Sequence, residues 1–266
     1  MAAAGDRALL TGLVHAAEAA GTAAARCRDR GLGVAEKAGG EIVTTADRAS
    51  GGVLYEHFAR LLPGVPVVSE EGTERALGPG ARIVADELDG TAPFAAGAPD
   101  WGVMVALVDE APLAAVIHLP ALGATIAAER GAGCRINGDP VRVRCGADPA
   151  DIVLGLEINA RLDDADWDRL RAATRTVRTA RCTACSASST LALLRGVTGA
   201  YLNLRGGRIW DFAAPALVIA EAGGTVRDPG GGALRWDAIP MGFAAAANAA
   251  LLTRLVTVMD AAAASC

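Results

Sequence analysis

Residues 82–91 read RIVADELDGT, in which an apolar run leads into a turn that carries two aspartates. The run predicts a short buried strand. Gly90 permits the backbone conformation that turns the chain sharply after this strand. Asp86 and Asp89 can both face a common cation, and the Leu88 carbonyl supplies a further oxygen. An Asp-Gly β-turn with two solvated carboxylates is the alternative interpretation of the same residues.

Two further acidic segments have a similar setting, Ser69–Gly72 (SEEG) and Trp210–Ala214 (WDFAA). Each follows or interrupts an apolar element, whereas solvating carboxylates are more typical of exposed helix faces beside lysine or arginine. Carboxylates that leave strand ends can converge, and hard oxygen ligands without histidine select Mg²⁺, Mn²⁺ or Ca²⁺ over zinc. The histidines, His15, His57 and His118, fall on predicted helices and a strand. A Ser-His-Asp triad or a histidine-rich metal site therefore lacks support.

The composition excludes several classes of protein. The chain has 266 residues, with 25 lysines and arginines against 30 aspartates and glutamates, and a formal net charge of −5. This balance argues against a nucleic-acid binder, which needs a dense basic surface. The mean hydropathy is +0.31, but no apolar run reaches the roughly 18–20 residues of a membrane-spanning helix. The N-terminus lacks the pattern of a secretory signal, so we expect no membrane partner and a cytoplasmic location.

Helical and strand patterns alternate along the chain, and hairpins accompany them, which predicts mixed sheets rather than wholly parallel ones. The predicted helices are 6–28, 47–62, 164–177, 188–195, 211–222 and 249–262. The predicted strands are 65–68, 82–85, three runs of an antiparallel meander over 101–130, 152–158, 200–204, 225–226 and 243–247. We expect one unit over 1–266, with a metal-site half, 1–150, and a substrate-side half, 151–266.

Several segments carry a resemblance when they are taken together and in order. They are IVTTADRA (42–49), PVVSEEG (66–72), IVADELDGT (83–91), ERGAGCRINGDPVRV (129–143) and WDFAAPALVIAEAGGTV (210–226). This series resembles the successive motifs of the inositol monophosphatase family and covers nearly the whole chain. The resemblance implies an α-β-α-β-α layered sandwich of the inositol monophosphatase and fructose-1,6-bisphosphatase type. It also implies a Mg²⁺-dependent, often lithium-sensitive phosphatase of small phosphate monoesters that commonly forms a homodimer.

Residue by residue, the resemblance implies a set of metal ligands and catalytic groups. The implied ligands of the first Mg²⁺ are Glu70, Asp86 and the Leu88 carbonyl, and those of the second are Asp86, Asp89 and Asp211. Asp47 matches the acidic position that acts with Thr91 on the nucleophilic water or helps to hold a third ion. The implied catalytic residues are thus Glu70, Thr91 and Asp47. The N–H groups of Gly90 and Thr91 would receive the phosphate.

The chain departs from the family pattern beside the metal ligands. Glu87 replaces the usual proline of D-P-L/I-D-G-T, which adds a charge and removes a rigid restraint on φ. Pro93 replaces the asparagine of T-x-N-F. We expect Glu87 to alter the metal affinity or the pH dependence of the site.

The second half departs further. Ala187–Thr190 (ASST) stands where the family has G-S/T-A-A, so the resemblance implies substrate contact by Ser188. Asn203 lies near the position at which inositol-preferring members carry a glutamate, and a neutral amide accepts hydroxyl hydrogen bonds less strongly than a carboxylate. Arg205 and Arg208 are candidates for contact with a second anionic group. A solvated strand end is the alternative for both arginines.

These features predict an enzyme that hydrolyses a small phosphate monoester through a metal-activated water, with two Mg²⁺ ions or three. The substrate would be an inositol, sugar or polyol phosphate in a biosynthetic pathway. Histidinol phosphate, fructose bisphosphate and a nucleotide-derived phosphate remain open. A non-catalytic binding or regulatory relative is the alternative from another class, and Mg²⁺-dependent turnover separates it from the enzyme.

Overall fold

A computed structural model describes residues 2–37, 40–72, 80–237 and 240–263, with side chains from residue 8 onward. The helices are α1 (Ala2–Asp29), α2 (Thr45–Leu61), α3 (Thr91–Ala95), α4 (Asp164–Thr174), α5 (Ser186–Leu194), α6 (Ile209–Glu221) and α7 (Ala249–Ala263). The strands are β1 (Val34–Glu36), β2 (Ile42–Thr44), β3 (Val67–Ser69), β4 (Arg82–Asp89), β5 (Gly102–Val108), β6 (Pro112–Leu119), β7 (Ala124–Glu129), β8 (Gly133–Ile136), β9 (Asp139–Val141), β10 (Val153–Leu156), β11 (Thr179–Cys182), β12 (Ala200–Gly207), β13 (Thr225–Arg227) and β14 (Met241–Ala246). None of the helices in these ranges is long and apolar enough to cross a membrane.

The larger sheet has seven strands in the order β3-β4-β5-β6-β7-β8-β9. Strand β3 is parallel to β4, and every other neighbouring pair is antiparallel, which confirms the predicted meander. One face of this sheet packs against α1 and α2 through buried aliphatic and aromatic residues such as Leu13, Phe58 and Val105. Helix α1 can lie close to the sheet because the residues it buries there are largely alanines.

The smaller sheet has five strands in the order β11-β10-β12-β14-β13. Strand β10 is parallel to both of its neighbours, whereas β14 is antiparallel to β12 and β13, so the sheet is mixed as predicted. Its outer face packs against α4 and α7, where Leu170 and Leu255 are buried among the side chains of the sheet. Its inner face and the free face of the larger sheet enclose α5 and α6. The layers therefore follow the order α-β-α-β-α, as predicted.

Strand β4 continues to Asp89, four residues beyond the predicted end, and every one of its eight residues is buried. Its pairing with β5 shifts in register between Asp86 and Asp89, so the strand bulges where the carboxylates leave it. Gly90 then turns the chain with a positive φ of 81°. A Cβ atom at Gly90 would lie 2.6 Å from the Asp100 carbonyl oxygen, so only glycine fits this turn.

Three aromatic rings that contact one another anchor α6 to the smaller sheet. The rings of Phe212 and Phe243 stack at a centroid distance of 4.8 Å with an interplanar angle of 7°, and Tyr201 lies 5.6 Å from Phe243. All three side chains are buried. Phe212 is the neighbour of Asp211 in the first turn of α6, so this stack also fixes the start of the helix.

We expect Phe243→Ala to lower the free energy of unfolding by about 3–5 kcal/mol, because the substitution leaves a cavity against Phe212 and Tyr201. Phe243→Leu, which keeps much of the volume, should lower it by less. Urea denaturation of the two variants and the parent checks this. A loss below about 1 kcal/mol in Phe243→Ala would show that the stack contributes little.

Candidate metal and phosphate site

Three aspartates converge between the two sheets. One carboxylate oxygen from each of Asp86, Asp89 and Asp211 lies within 4.8 Å of the other two. Asp86 and Asp89 come from the bulged end of β4, and Asp211 comes from the first turn of α6. Asp89 and Asp211 are 122 residues apart in the sequence, and the tertiary structure brings them together.

Backbone N–H groups hold each of these carboxylates in place. Asp89 accepts hydrogen bonds from the N–H groups of Ser186 at 3.2 Å and Ala187 at 2.6 Å, in the first turn of α5. The Asp211 Oδ2 accepts from the Arg208 N–H at 2.6 Å. The N–H group of Leu88 donates to the Asp86 Oδ1 at 3.0 Å. Carboxylates at helix starts are stabilised by these unpaired N–H groups and by the helix dipole.

The Cys185 thiol also contacts this cluster. Its Sγ donates to the Asp89 Oδ2 at 2.9 Å, and Cys185 itself caps the N-terminus of α5 by accepting from the Ser188 N–H. The Cys185 side chain is buried, whereas that of Cys182, three residues earlier, is exposed.

The three aspartates open into a cleft of about 500 Å³. The residues that we predicted as site residues and that line this cleft are Glu70, Asp86, Leu88, Asp89, Gly90, Thr91, Asn203 and Asp211. The cleft thus brings together all five predicted metal ligands and both predicted phosphate donors. Asp47, Ser188 and Arg205 lie outside its lining.

Asp47 is buried in the first turn of α2, next to Thr91 of the cleft lining. Its Oδ2 accepts from the N–H and the hydroxyl of Thr44, at 2.7 and 2.6 Å. The Thr91 hydroxyl lies 3.3 Å from the Asp47 Oδ1 and 3.0 Å from the Leu88 carbonyl oxygen. Asp47 therefore contacts the cleft through Thr91.

Ser188 and Arg205 face elsewhere. Ser188 is buried in α5, which begins at Ser186, two residues earlier than predicted, and Ser186 lines the cleft. The Arg205 guanidinium forms ion pairs with Asp163 at 2.7 Å and Asp166 at 2.5 Å on the outer side of the smaller sheet.

Four charged residues in the cleft lining were not named by the sequence analysis. They are Lys37, Glu41, Glu157 and Arg161. Arg208, a predicted candidate for contact with an anion, also lines the cleft. Glu157 directly follows the apolar strand β10. Asp86 was selected because an acidic residue follows an apolar strand, and the same criterion would also have selected Glu157. Lys37 directly follows β1, and neither β1 nor its pairing with β2 was predicted from the sequence.

Lys37 supplies the nearest positive charge to the acidic side of the cleft. Its Nζ lies 2.9 Å from the Glu70 Oε1 and also contacts Glu71. These contacts partly oppose the effect of burial, which nevertheless raises the pKa of Glu70. Glu71 is thus a partner of Lys37 beside the proposed ligand.

Burial and mutual repulsion raise the pKa of the carboxylates in the cluster. Loss of water is the main cause for Asp86 and Asp211, and the charge of Glu70 is the next. Burial also raises the pKa of Asp89, although the Cys185 thiol and the α5 N–H groups oppose it. The site thus holds several hard oxygen donors without enough positive charge nearby to balance them. Such a site fits a divalent cation of the Mg²⁺ type.

Comparison with known proteins agrees with this geometry. A sequence model of the inositol monophosphatase family matches residues 6–263. The chain belongs to the inositol monophosphatase family. The family resemblance drawn from the motifs is therefore confirmed, and so is the layered sandwich that it implied.

Several known proteins resemble the chain over most of its length. A histidinol-phosphatase of Chlorobaculum parvum is 34% identical over 75% of this chain and 77% of its own. An inositol-1-monophosphatase of Mesorhizobium japonicum is 30% identical over 85% and 87%. The crystal structure of the extragenic suppressor protein suhB from Bartonella henselae superposes with a TM-score of 0.86, covering 95% and 98% of the two chains at 27% identity.

The raised pKa values predict how pH affects stability in the absence of metal ions. A carboxyl group whose pKa is higher in the folded state stabilises the protein below its unfolded pKa, about 3.9 for aspartate, and this contribution is lost as the pH rises through the folded pKa. Because the pKa of Glu70 is raised to about 7, the melting temperature in EDTA should fall as the pH rises through about 7, and excess Mg²⁺ should reverse the fall.

Thermal unfolding with EDTA and with Mg²⁺ measures this effect. Asp86→Asn should flatten the pH dependence in EDTA, whereas Asp139→Asn, at an exposed position of β9, should leave it unchanged. A metal-free protein that melts at a higher temperature at pH 8 than at pH 6, by an amount that Asp86→Asn does not alter, would contradict the assignment.

Proposed function

We propose that this member of the inositol monophosphatase family uses Mg²⁺ to hydrolyse a small phosphate monoester by direct attack of water. The convergence of Asp86, Asp89 and Asp211 on one cleft is the observation that carries the proposal. Phosphate monoesters are dianions, and this cluster would repel them unless cations neutralised it. The chain is thus a phosphoric monoester hydrolase whose acidic site requires metal ions.

The proposed ligands are the carboxylates of Glu70, Asp86, Asp89 and Asp211 together with the Leu88 carbonyl. Bound Mg²⁺ ions would polarise the phosphoryl oxygens, activate a water and offset charge on the leaving oxygen. The protein contributes the fixed position of each oxygen. Backbone N–H groups restrain the three aspartates, so little rearrangement has to accompany ion binding.

Thr91 and Asp47 are the proposed proton-handling pair. Since the Thr91 hydroxyl lies within reach of Asp47, a proton that leaves the attacking water has a path through the hydroxyl to a buried carboxylate. Glu70, which also lines the cleft, is the second proposed base. The N–H groups of Gly90 and Thr91 remain the proposed donors to the phosphate.

The rest of the cleft indicates what the leaving group carries. Asn203 on β12 is buried, and its Oδ1 has no hydrogen-bond partner among the described residues. Glu157 lies beside it, because the Glu157 N–H donates to the carbonyl of Leu202 at 2.9 Å. Burial and the nearby Asp89 raise the pKa of Glu157 to about 7. Two adjacent acceptors favour a leaving group that donates hydrogen bonds, such as a hydroxyl or an amine.

This chemistry accommodates inositol, sugar and polyol phosphates and also histidinol phosphate, which carries an amine. The relatives named above include proteins of both descriptions. Arg161 and Arg208 extend the lining with positive charge, which supports the fructose bisphosphate and nucleotide-derived alternatives. Arg161 is paired with Glu41 at 2.5 Å, so a second anion would compete with that carboxylate.

Other features stay predictions from the sequence. They are a homodimeric assembly, a cytoplasmic location, a role in biosynthesis and the occupancy of two or three ions. The division into halves at residue 150 is supported by the sheets, since the seven strands β3–β9 precede it and the five strands of the smaller sheet follow it.

We expect Asp89→Asn and Asp211→Asn each to lower turnover more than about 100-fold, because each removes charge that would hold a metal ion. Phosphate release from inositol, fructose, glucose, histidinol and adenosine phosphates, with Mg²⁺ and with EDTA, is the measurement. Asp139→Asn serves as the matched control. Retained turnover in both cleft variants, or equal release in EDTA, would refute the assigned site. If the parent protein released phosphate from none of these substrates, the result would favour the non-catalytic alternative.

We expect Asn203→Leu to lower kcat/KM about tenfold for the preferred hydroxyl- or amine-bearing substrate, the value of one hydrogen bond. Hydrolysis of p-nitrophenyl phosphate, whose leaving group offers no such donor, should hardly change. An equal loss on both substrates would indicate that Asn203 acts on the phosphate site rather than on the leaving group.

A further inference from the structure

Glu87, which stands between the proposed ligands Asp86 and Leu88, is almost completely buried, with 1% of its surface exposed. Its carboxylate is directed toward α2 and toward the turn that carries Glu70. The Glu87 Oε1 accepts from the Tyr55 hydroxyl at 3.2 Å, and the Oε2 accepts from the Glu71 N–H at 3.4 Å. A proline at this position would make neither contact.

Tyr55 extends these contacts to the other side of Glu70. Its hydroxyl lies 2.6 Å from the Ser69 Oγ, which in turn accepts from the Gly72 N–H at 3.1 Å. The residue before Glu70 and the two residues after it are thereby tied to one group of side chains. We call Glu87, Tyr55 and Ser69, with the N–H groups of Glu71 and Gly72, the Glu87 network.

Two glycines leave the space that the Glu87 network occupies. A Cβ atom at Gly51 would lie 3.2 Å from the Glu87 Cγ. A Cβ atom at Gly72 would lie 2.8 Å from the Ser69 Oγ and 3.0 Å from the Tyr55 hydroxyl oxygen. Side chains at either position would therefore displace members of the network.

The backbone of Glu87 is held separately. The Ser50 hydroxyl donates to the Glu87 carbonyl oxygen at 2.6 Å, and both groups are buried. This bond ties β4 to α2 between the two ligand positions, where the family pattern has the rigid ring of proline. The Glu87 carboxylate is then left to act on the Glu70 turn.

We propose that Glu87 is a positioning residue that fixes the Glu70 turn for metal binding, an inference that rests on the proposed role of Glu70 as a ligand. Lys37 contacts the carboxylate end of Glu70, where it competes with an incoming cation. The Glu87 network instead restrains the flanking residues and leaves the Glu70 oxygens available. Groups that restrain ligands in this way typically change metal affinity about 10–100-fold when they are removed.

Calorimetric titration with Mg²⁺ of the parent and of Glu87→Gln, Glu87→Ala, Tyr55→Phe and Glu70→Gln tests the proposal. We expect Glu87→Ala to weaken Mg²⁺ binding about tenfold. Glu87→Gln keeps an acceptor for Tyr55 but presents an amide to the Glu71 N–H, so its loss should be smaller, about threefold. Glu56→Gln, at the exposed neighbour of Tyr55, is the matched control.

Phosphatase assays of the same variants provide a second measurement. A positioning role predicts that the Mg²⁺ concentration for half-maximal activity rises in the Glu87 variants while kcat at saturating Mg²⁺ is largely restored. Urea denaturation in EDTA establishes that each variant is folded. If Glu87→Ala fails to fold, the isosteric Glu87→Gln and the peripheral Tyr55→Phe still decide the outcome.

The outcomes separate this inference from the proposed function. If Glu70→Gln weakens Mg²⁺ binding while folded Glu87 and Tyr55 variants match Glu56→Gln, the positioning role is overturned and the metal site stands. If Glu70→Gln leaves Mg²⁺ affinity unchanged, the ligand assignment falls and the inference falls with it. Weakened binding in Glu70→Gln and in both Glu87 variants supports the inference.

Discussion

The repulsion among Asp86, Asp89 and Asp211 is the constraint on which the rest of the structure depends. Buried carboxylates this close are unfavourable without compensation. The fold supplies it from backbone N–H groups, since Asp89 meets the start of α5 and Asp211 lies in the first turn of α6. Asp47 is held in the same way at the start of α2. Helix starts provide partial positive charge without adding a competing side chain.

The layered architecture follows from the need to bring these helix starts to one point. Helices α5 and α6 lie between the two sheets, so their first turns can reach the end of β4. A strand buried on both faces must then end in carboxylates. This explains why β4 is apolar from Ile83 to Ala85 and then carries Asp86, Glu87 and Asp89 near its end. The bulge opposite β5 directs Asp86 and Asp89 toward the same cleft.

The sequence predicted mixed sheets, and its family resemblance predicted the layers and the convergence of the aspartates, but neither could resolve choices between similar neighbours. Ser186, Ser188 and Ser189 all suit a helix start, and only the cap formed by Cys185 determines that Ser186 faces the cleft. Arg205 and Arg208 both follow the predicted strand 200–204, but β12 continues to Gly207 and its pairing with β14 shifts register between Asn203 and Gly207. That irregularity leaves Arg205 with Asp163 and Asp166 while Arg208 lines the cleft. Asp86–Asp89 were assigned to a turn, but they continue the buried strand β4, where charged residues are rare.

The two glycines of α2 show how Glu87, which replaces the family's proline, restricts the residue at a position distant in sequence. Gly51 and Gly52 both weaken a helix, by roughly 0.5–1 kcal/mol each relative to alanine. Gly52 has open space around it, whereas a side chain at Gly51 would press on Glu87. The loss of helix stability at Gly51 is therefore linked to Glu87, the glutamate that replaces proline in β4. In exchange for the lost rigidity of a proline ring, the chain gains side-chain contacts that join α2, β4 and the Glu70 turn.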